Sequence, residues 1–153
     1  MDVWRICKAK HSTTAFTGMG AEVAGGRWNH KGHKVIYTSS NLSLASLEYF
    51  VHISAQTAPE DLVTIRARIP DDVSREEIVV ANLPENWKNY PAIAALKEMG
   101  SDWVKRGETL LLRVPSAITP EESNYLINPG HHEFERITYD SPVKFTFDRR
   151  MWK

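Results

Sequence analysis

The run TLLLRVPS, residues 109–116, carries the strongest strand signal in the sequence, and its apolar character predicts a central position in a sheet. Four other stretches also have strand character because apolar and polar residues alternate along them. They are VWRICK at 3–8, KVIYTS at 34–39, DLVTIRARIP at 61–70 and KFTFD at 144–148. A sheet of several strands is therefore the predicted framework of the protein.

Fewer segments have helical character. Ser39, Ser40 and Asn41 offer N-cap side chains for a helix over about residues 42–55. Pro91 predicts a second helix start, with Gly100 as the stop signal, and IVVANLP at 78–84 suggests one more short strand. The strands outnumber the helices and do not alternate regularly with them. The predicted fold class is α+β, with a compact, mostly antiparallel sheet and flanking helices.

Composition limits the classes of protein to be considered. The 153 residues suit one domain spanning 1–153, and 42% hydrophobic with 25% charged residues is ordinary for a globular protein. The 19 basic and 19 acidic residues cancel, which argues against direct binding of nucleic acid. A lone cysteine, Cys7, excludes an internal disulfide. No signal-peptide core and no apolar run of about 20 residues is seen, so we expect a cytoplasmic protein without membrane attachment.

The predicted helix NLSLASLEYFVHIS, residues 41–54, is apolar on nearly every side and is expected to be substantially buried. Glu48 interrupts this surface, and His52, four residues on, shares its stripe. The two side chains form either an exposed Glu–His pair or part of a cleft in which the carboxylate is functional. Tyr37, near the end of the preceding strand, either faces the same pocket or packs in the core.

Three other polar residues each allow two interpretations. Arg27 follows Gly25 and Gly26 and is either a surface residue after a turn or part of an anion-binding corner. Ser116, at the end of the strongest strand, is suited to hydrogen bonding a phosphate or ribose, or to capping a turn. Asn124 in NYLINP has the same two readings.

Several common sites are not predicted. His30 and His33, and the cluster His131–Glu133, lack the partners that a zinc site needs, so no metal is expected. The sequence holds no G-x-G-x-x-G, P-loop or G-x-S-x-G pattern. Dinucleotide binding on a Rossmann fold, P-loop chemistry and a serine-hydrolase elbow are therefore not indicated.

Seven short motifs occur in an order that resembles the RES-domain family, which is named for an arginine, a glutamate and a serine. The resemblance extends from Trp4 to Arg150. The motifs are W-R-I at 4–6, GGRWN at 25–29, VIYTS at 35–39, LASLEY at 44–49, LLRVPSA at 111–117, NYLINP at 124–129 and F-x-F-D-R-R at 145–150.

This resemblance implies an ADP-ribosyltransferase-like fold and a toxin of a type II toxin–antitoxin pair. Such toxins deplete NAD by hydrolysis or phosphorolysis, and a helix-turn-helix antitoxin of the Xre type neutralises them. By resemblance, the arginine, glutamate and serine for which the family is named are Arg27, Glu48 and Ser116, and they are expected to be catalytic. Tyr37 matches a pocket tyrosine and Asn124 a polar position of the family.

In this interpretation NAD is the substrate and no cofactor is needed. Arg27 is expected to grip the diphosphate, Tyr37 and Trp28 to pack on the nicotinamide, and Ser116 to hydrogen bond the riboside or a phosphate. Two alternatives stay open at this point. One is transfer of ADP-ribose to a protein, and the other is a non-catalytic interaction module on the same fold.

Overall fold

The computed structural model describes residues 1–152 and contains one eight-stranded sheet. The strand order is β4-β5-β6-β2-β1-β3-β7, and β8 pairs with β3 outside this path. Every pairing is antiparallel except β4 with β5, which is parallel. The strands are β1 Asp2–Lys8, β2 Ile36–Ser39, β3 Leu62–Arg68, β4 Arg75–Glu77, β5 Leu111–Pro115, β6 Ser123–Ile127, β7 Thr138–Tyr139 and β8 Val143–Phe145. The predicted α+β class with a mostly antiparallel sheet is confirmed.

Three α-helices flank the sheet. They are α1 Met19–Ala24, α2 Leu42–Phe50 and α3 Ala94–Arg106, and four short 3-10 segments lie at Ala9–Thr14, Val80–Asn82, His132–Arg136 and Arg149–Trp152. Within residues 1–152, no helix has both the length and the apolar character needed to cross a bilayer.

The predicted strand at 78–84 is wrong, because the strand of this region is β4, which ends at Glu77. Tertiary contacts stabilise β4, because its backbone pairs with β5 and Arg113 of β5 forms an ion pair with Glu77 at 3.0 Å. Glu76 also pairs with Arg106 of α3 at 2.7 Å. Local apolar character therefore misplaced this edge strand, whose three residues are all charged.

The start of α2 is as predicted, and its end is earlier. Asn41 is the N-cap, with its side-chain oxygen accepting the Leu44 N–H at 2.8 Å. The helix ends at Phe50 instead of about residue 55, because the backbone tightens into a turn in which the N–H of His52 reaches back only three residues, to Tyr49. Leu44 is fully buried and Ala45 almost fully buried, while the other residues of the helix are half-buried or exposed.

The predicted stop at Gly100 is wrong, because α3 continues through it and ends before Gly107, whose φ is 63°. Gly100 serves close packing instead: a Cβ built there would lie 1.8 Å from the backbone oxygen of Trp28. Ser101 is buried within the helix, and its hydroxyl oxygen accepts the His30 N–H at 2.9 Å. Helix α3 is thus pressed directly against the segment that carries Arg27.

Candidate functional site

A cleft opens where β1 and β2 separate. These two strands pair only at Trp4 and Ser39, whereas β1 pairs with β3 along all seven of its residues. Helix α2 follows β2 and packs against β1 beside this gap. The cleft has a volume of about 410 Å³, which is in the range of small-ligand sites. Its polar lining residues include Arg5, Tyr37, Ser39, Glu48, His52 and Asn124.

The Glu48 carboxylate is held in this cleft by two hydrogen bonds to the same oxygen. Its Oε1 atom accepts from the Ser116 hydroxyl at 2.8 Å and from the Asn124 side-chain amide at 2.6 Å. Among the described residues, nothing donates to the second oxygen, Oε2. Helix α2, the end of β5 and strand β6 therefore meet at the Glu48 carboxylate, whose Oε2 atom remains available for a ligand.

Ser116 holds Glu48 from behind the cleft. Its side chain is fully buried, donates to Glu48, and accepts the backbone N–H groups of Ile118 and Thr119 at 3.1 Å each. One hydroxyl offers one donor and two acceptor lone pairs, so Ser116 has no capacity left for a ligand. Ser116 therefore caps a turn, as one of its two interpretations predicted, and it also positions the carboxylate. The other interpretation, a hydrogen bond to a phosphate or ribose, is not supported.

We expect Ser116→Ala to destabilise the protein by about 1–3 kcal/mol, because two partly buried N–H groups and the Glu48 carboxylate lose a hydrogen-bond partner. Urea unfolding followed by tryptophan fluorescence measures this change. Ser43→Ala is the matched control, because Ser43 is exposed on α2. A loss no larger than that of Ser43→Ala would contradict the buried network.

Asn124 extends the network toward β2. Its side-chain oxygen accepts from the Ser39 hydroxyl at 2.7 Å while its amide nitrogen donates to Glu48. This arrangement fixes which end of the amide faces the carboxylate. Ser39, expected only as cap chemistry, is therefore a part of the site that sequence reasoning did not assign.

Tyr37 lines the cleft, but its hydroxyl is engaged elsewhere. The hydroxyl donates to the Asn29 side chain at 2.6 Å and accepts the Trp28 N–H at 3.1 Å. Burial raises the pKa of Tyr37 well above its usual value, so the group stays neutral. A Cβ on Gly26 would lie 2.5 Å from this hydroxyl, which explains the glycine at that position. The Tyr37 hydroxyl therefore already has its donor and one of its acceptor positions in use.

Arg27 lies beside the cleft and not among its lining residues. Its Nη1 donates to the backbone oxygens of Trp87 at 2.7 Å and Asn89 at 3.1 Å. Burial lowers the pKa of Arg27, and the negative charge of Glu48 partly offsets this shift. Arg27 and Glu48, 21 positions apart in the chain, are therefore near enough to interact electrostatically. The preceding Gly25 adopts a φ of 72°, a conformation that favours glycine.

The expected stacking of Trp28 on a ligand is not supported. Its side chain is 2% exposed and packs in a core cluster with Trp87, Leu96 and Trp103. The tryptophan of GGRWN thus anchors the segment that bears Arg27 and has no face open to the cleft.

Arg5 is a site residue that the sequence reasoning missed. It lines the cleft floor, and its Nη1 donates across the strand gap to the Tyr37 backbone oxygen at 2.8 Å. Its Nε is buried without a partner, and it forms no ion pair with any described residue. Burial lowers the pKa of this guanidinium. The sequence VWRICK already indicated that Arg5 points inward, because alternation along a strand puts it on the same side as the buried Val3 and Cys7.

The histidine cluster is tied into the surrounding structure. Ligand atoms of His131, His132 and Glu133 lie within 4.8 Å of one another. The Glu133 carboxylate already accepts from Ser74 and pairs with Arg136 at 3.1 Å, while His131 Nδ1 accepts the Glu133 N–H at 3.2 Å. These contacts give the cluster a structural role at the start of a 3-10 turn.

The structure is an α+β domain with one mostly antiparallel sheet and a cleft lined by the Glu48 carboxylate. The same fold occurs in the crystal structure of the M. tuberculosis MbcT–MbcA toxin–antitoxin complex. The similarity has a TM-score of 0.71 at 17% identity and covers 95% of this chain and 84% of that one.

The sequence comparisons give the family. The RES domain model matches residues 2–148, so the chain belongs to the RES domain family. A relative called Toxin Res from Yersinia enterocolitica is 37% identical over 152 residues, covering 99% of both chains. Another, called Prs ADP-ribosylating toxin, from Sphingobium sp., is 38% identical over 152 residues and covers 97% of this chain and 94% of its own.

Proposed function

We propose that this protein is the toxin of a toxin–antitoxin pair and that it degrades NAD by cleaving the bond between nicotinamide and ribose. The observation that carries the proposal is the Glu48 carboxylate, fixed through Oε1 by Ser116 and Asn124 with Oε2 left for the substrate. Membership of the RES domain family and the names of the relatives support it.

One carboxylate is sufficient for this reaction. When the bond from the ribose to the nicotinamide ring nitrogen breaks, its electron pair stays on the nitrogen and nicotinamide leaves neutral, without needing a proton. Positive charge develops on the ribose carbon, as in glycoside cleavage. Oε2 of Glu48 stabilises this charge or holds a ribose hydroxyl. An oxygen of water or phosphate then bonds to the carbon and gives ADP-ribose, with release of the water's proton, or ADP-ribose phosphate.

Two guanidinium groups are suited to the diphosphate of NAD. Arg5 lines the cleft and lacks a carboxylate partner among the described residues, so a bound anion would satisfy it. Arg27 lies at the rim and uses one nitrogen for backbone oxygens, which leaves the rest of its planar group for a phosphate. We assign the grip on the diphosphate to Arg5 together with Arg27.

A second candidate is transfer of ADP-ribose from NAD to a protein. The name of the Sphingobium relative, an ADP-ribosylating toxin, favours it. The same Glu48 would serve both reactions, because only the acceptor differs. A non-catalytic module on this fold is the third possibility, and it would leave NAD intact.

We also propose that a cognate antitoxin covers the cleft and that the protein acts in the cytoplasm, where NAD is found. The partner is supported by the toxin–antitoxin complex among proteins of the same fold. The Xre type of the antitoxin and a single-domain architecture over 1–153 belong to the same proposal.

Incubating the purified protein with NAD tests the proposal. We expect free nicotinamide together with ADP-ribose in buffer without phosphate, or ADP-ribose phosphate if phosphate is the acceptor. Mass spectrometry of the products and of the protein separates these outcomes from transfer to protein. An unchanged NAD concentration at micromolar protein would contradict the proposal and favour the non-catalytic module.

A further inference from the structure

Two exposed aromatic side chains meet at the rim of the cleft. Tyr90 is 80% exposed, and His52, which lines the cleft, is also exposed. Their ring centroids lie 6.3 Å apart with the planes tilted by 52°. They come from segments 38 residues apart in the chain, and neither is used by the hydrogen-bond network around Glu48.

The backbone that carries Tyr90 is firmly anchored. The side chain of Trp87 is 4% exposed and packs in the core, and Arg27 donates to the backbone oxygens of Trp87 and Asn89. The N–H of Asn89 also bonds the oxygen of Asn86 at 3.0 Å. A hydrogen-bonded backbone thus precedes the exposed Tyr90 side chain, which is favourable for binding because little further backbone ordering is needed.

The two rings contact each other in the present arrangement. A centroid separation of 6.3 Å with planes tilted by 52° is typical of a directly interacting aromatic pair. Atoms in van der Waals contact lie about 3.5 Å apart, so a ring held between two others needs about 7 Å between the outer planes. The clamp therefore requires the exposed Tyr90 side chain to rotate until the two rings lie parallel on either side of a base.

Other aromatic groups near the cleft are less exposed than Tyr90 and His52. Trp28 is in the core, Tyr37 and Tyr49 are half-buried, and the Trp4 ring has the Arg66 guanidinium 5.7 Å from its centroid. Stacking on aromatic side chains is a common way to bind a nucleobase. An electron-rich Tyr ring also attracts a cationic ring such as nicotinamide in NAD.

We propose that His52 and Tyr90 form an aromatic clamp for a planar base of the dinucleotide. This inference rests on the proposed function, and it adds a binding contact that is separate from the Glu48 network. Arg27 has a positioning role in the clamp, because it fixes the segment from Trp87 to Asn89 that precedes Tyr90.

The test is titration calorimetry in a Glu48→Gln background, so that NAD is not consumed. Tyr90→Ala and His52→Ala should each weaken NAD binding about 10-fold, while Tyr90→Phe should stay within about twofold because stacking uses the ring. The double variant should lose less than the product of the two single effects, because both rings grip one base. His11→Ala, at an exposed histidine in the first 3-10 segment, is the matched control.

Nicotinamide mononucleotide and ADP-ribose identify the base. If the two alanine variants bind NAD and nicotinamide mononucleotide more weakly but ADP-ribose normally, the clamp holds nicotinamide. If they bind NAD and ADP-ribose more weakly but nicotinamide mononucleotide normally, the clamp holds adenine. If NAD binds to the parent but Tyr90→Ala and His52→Ala leave all three affinities unchanged, the clamp is refuted and the proposed function stands. If the parent binds no NAD and the unsubstituted protein neither binds nor cleaves it, both are refuted.

Discussion

A Glu48→Gln variant is expected to fold like the parent and to lose NAD turnover by about 10²–10³-fold or more. Glutamine keeps the Oε1 atom that accepts from Ser116 and Asn124, so the buried network persists. It replaces only Oε2, and with it the negative charge that would face the ribose carbon as positive charge develops. The loss should therefore appear mainly in kcat, because the interaction belongs to the transition state.

Steady-state kinetics of nicotinamide release measures this effect, with calorimetry giving the NAD affinity separately. Glu98→Gln makes the same substitution at an exposed position of α3 and should leave kcat unchanged. Normal turnover in the Glu48→Gln variant, with the network intact, would exclude the carboxylate from the chemistry. A fall in binding alone would make Glu48 a binding residue.

A Gly100→Ala variant is expected to lose about 3 kcal/mol or more of the free energy of unfolding. The new Cβ would lie 1.8 Å from the Trp28 backbone oxygen and 2.8 Å from its carbonyl carbon, and backbone atoms cannot rotate away as a side-chain end does. Either α3 or the GGRWN segment must move. Movement of that segment would also displace Arg27 and the Trp28 N–H that holds the Tyr37 hydroxyl.

Urea unfolding followed by tryptophan fluorescence measures the loss, and thermal melting should show a lower Tm. Gly20→Ala is the matched control, because Gly20 lies in α1 with nothing within 4 Å of its added Cβ. That substitution should stabilise the protein by about 0.5–1 kcal/mol. Equal stability of the two variants would contradict the close packing of α3 against the Trp28 backbone.

Patterns in the sequence were reliable where local chemistry fixes the structure. The apolar run 109–116 contains the interior strand β5, and alternation located β1 and β3 to within two residues at either end. Asn41 caps α2 because its short side chain reaches the Leu44 N–H within the same turn. Glu48 was recognisable as a carboxylate on a largely apolar helix.

Patterns failed where a distant partner overrides local preference. Gly100 reads as a helix stop, yet it is a contact point for Trp28, 72 positions away. The charged residues 75–77 form a strand because β5 and Arg106 lie beside them. Trp28 was assigned to the ligand from its motif, whereas the structure puts its ring in the core, where it is 2% exposed.

The sequence by itself determined the α+β class, the family, and the residue types from which the site is built, because periodicity and capping act over a few residues. Only the tertiary structure decided which of these residues share a cleft and which atom of each is available. The reason is that both hydrogen bonds to the Glu48 carboxylate go to Oε1 and leave Oε2 without a donor. They come from Ser116 and Asn124, which lie 68 and 76 positions away in the chain. Hydrogen bonds of this range follow from how the strands and helix pack, which no local pattern contains.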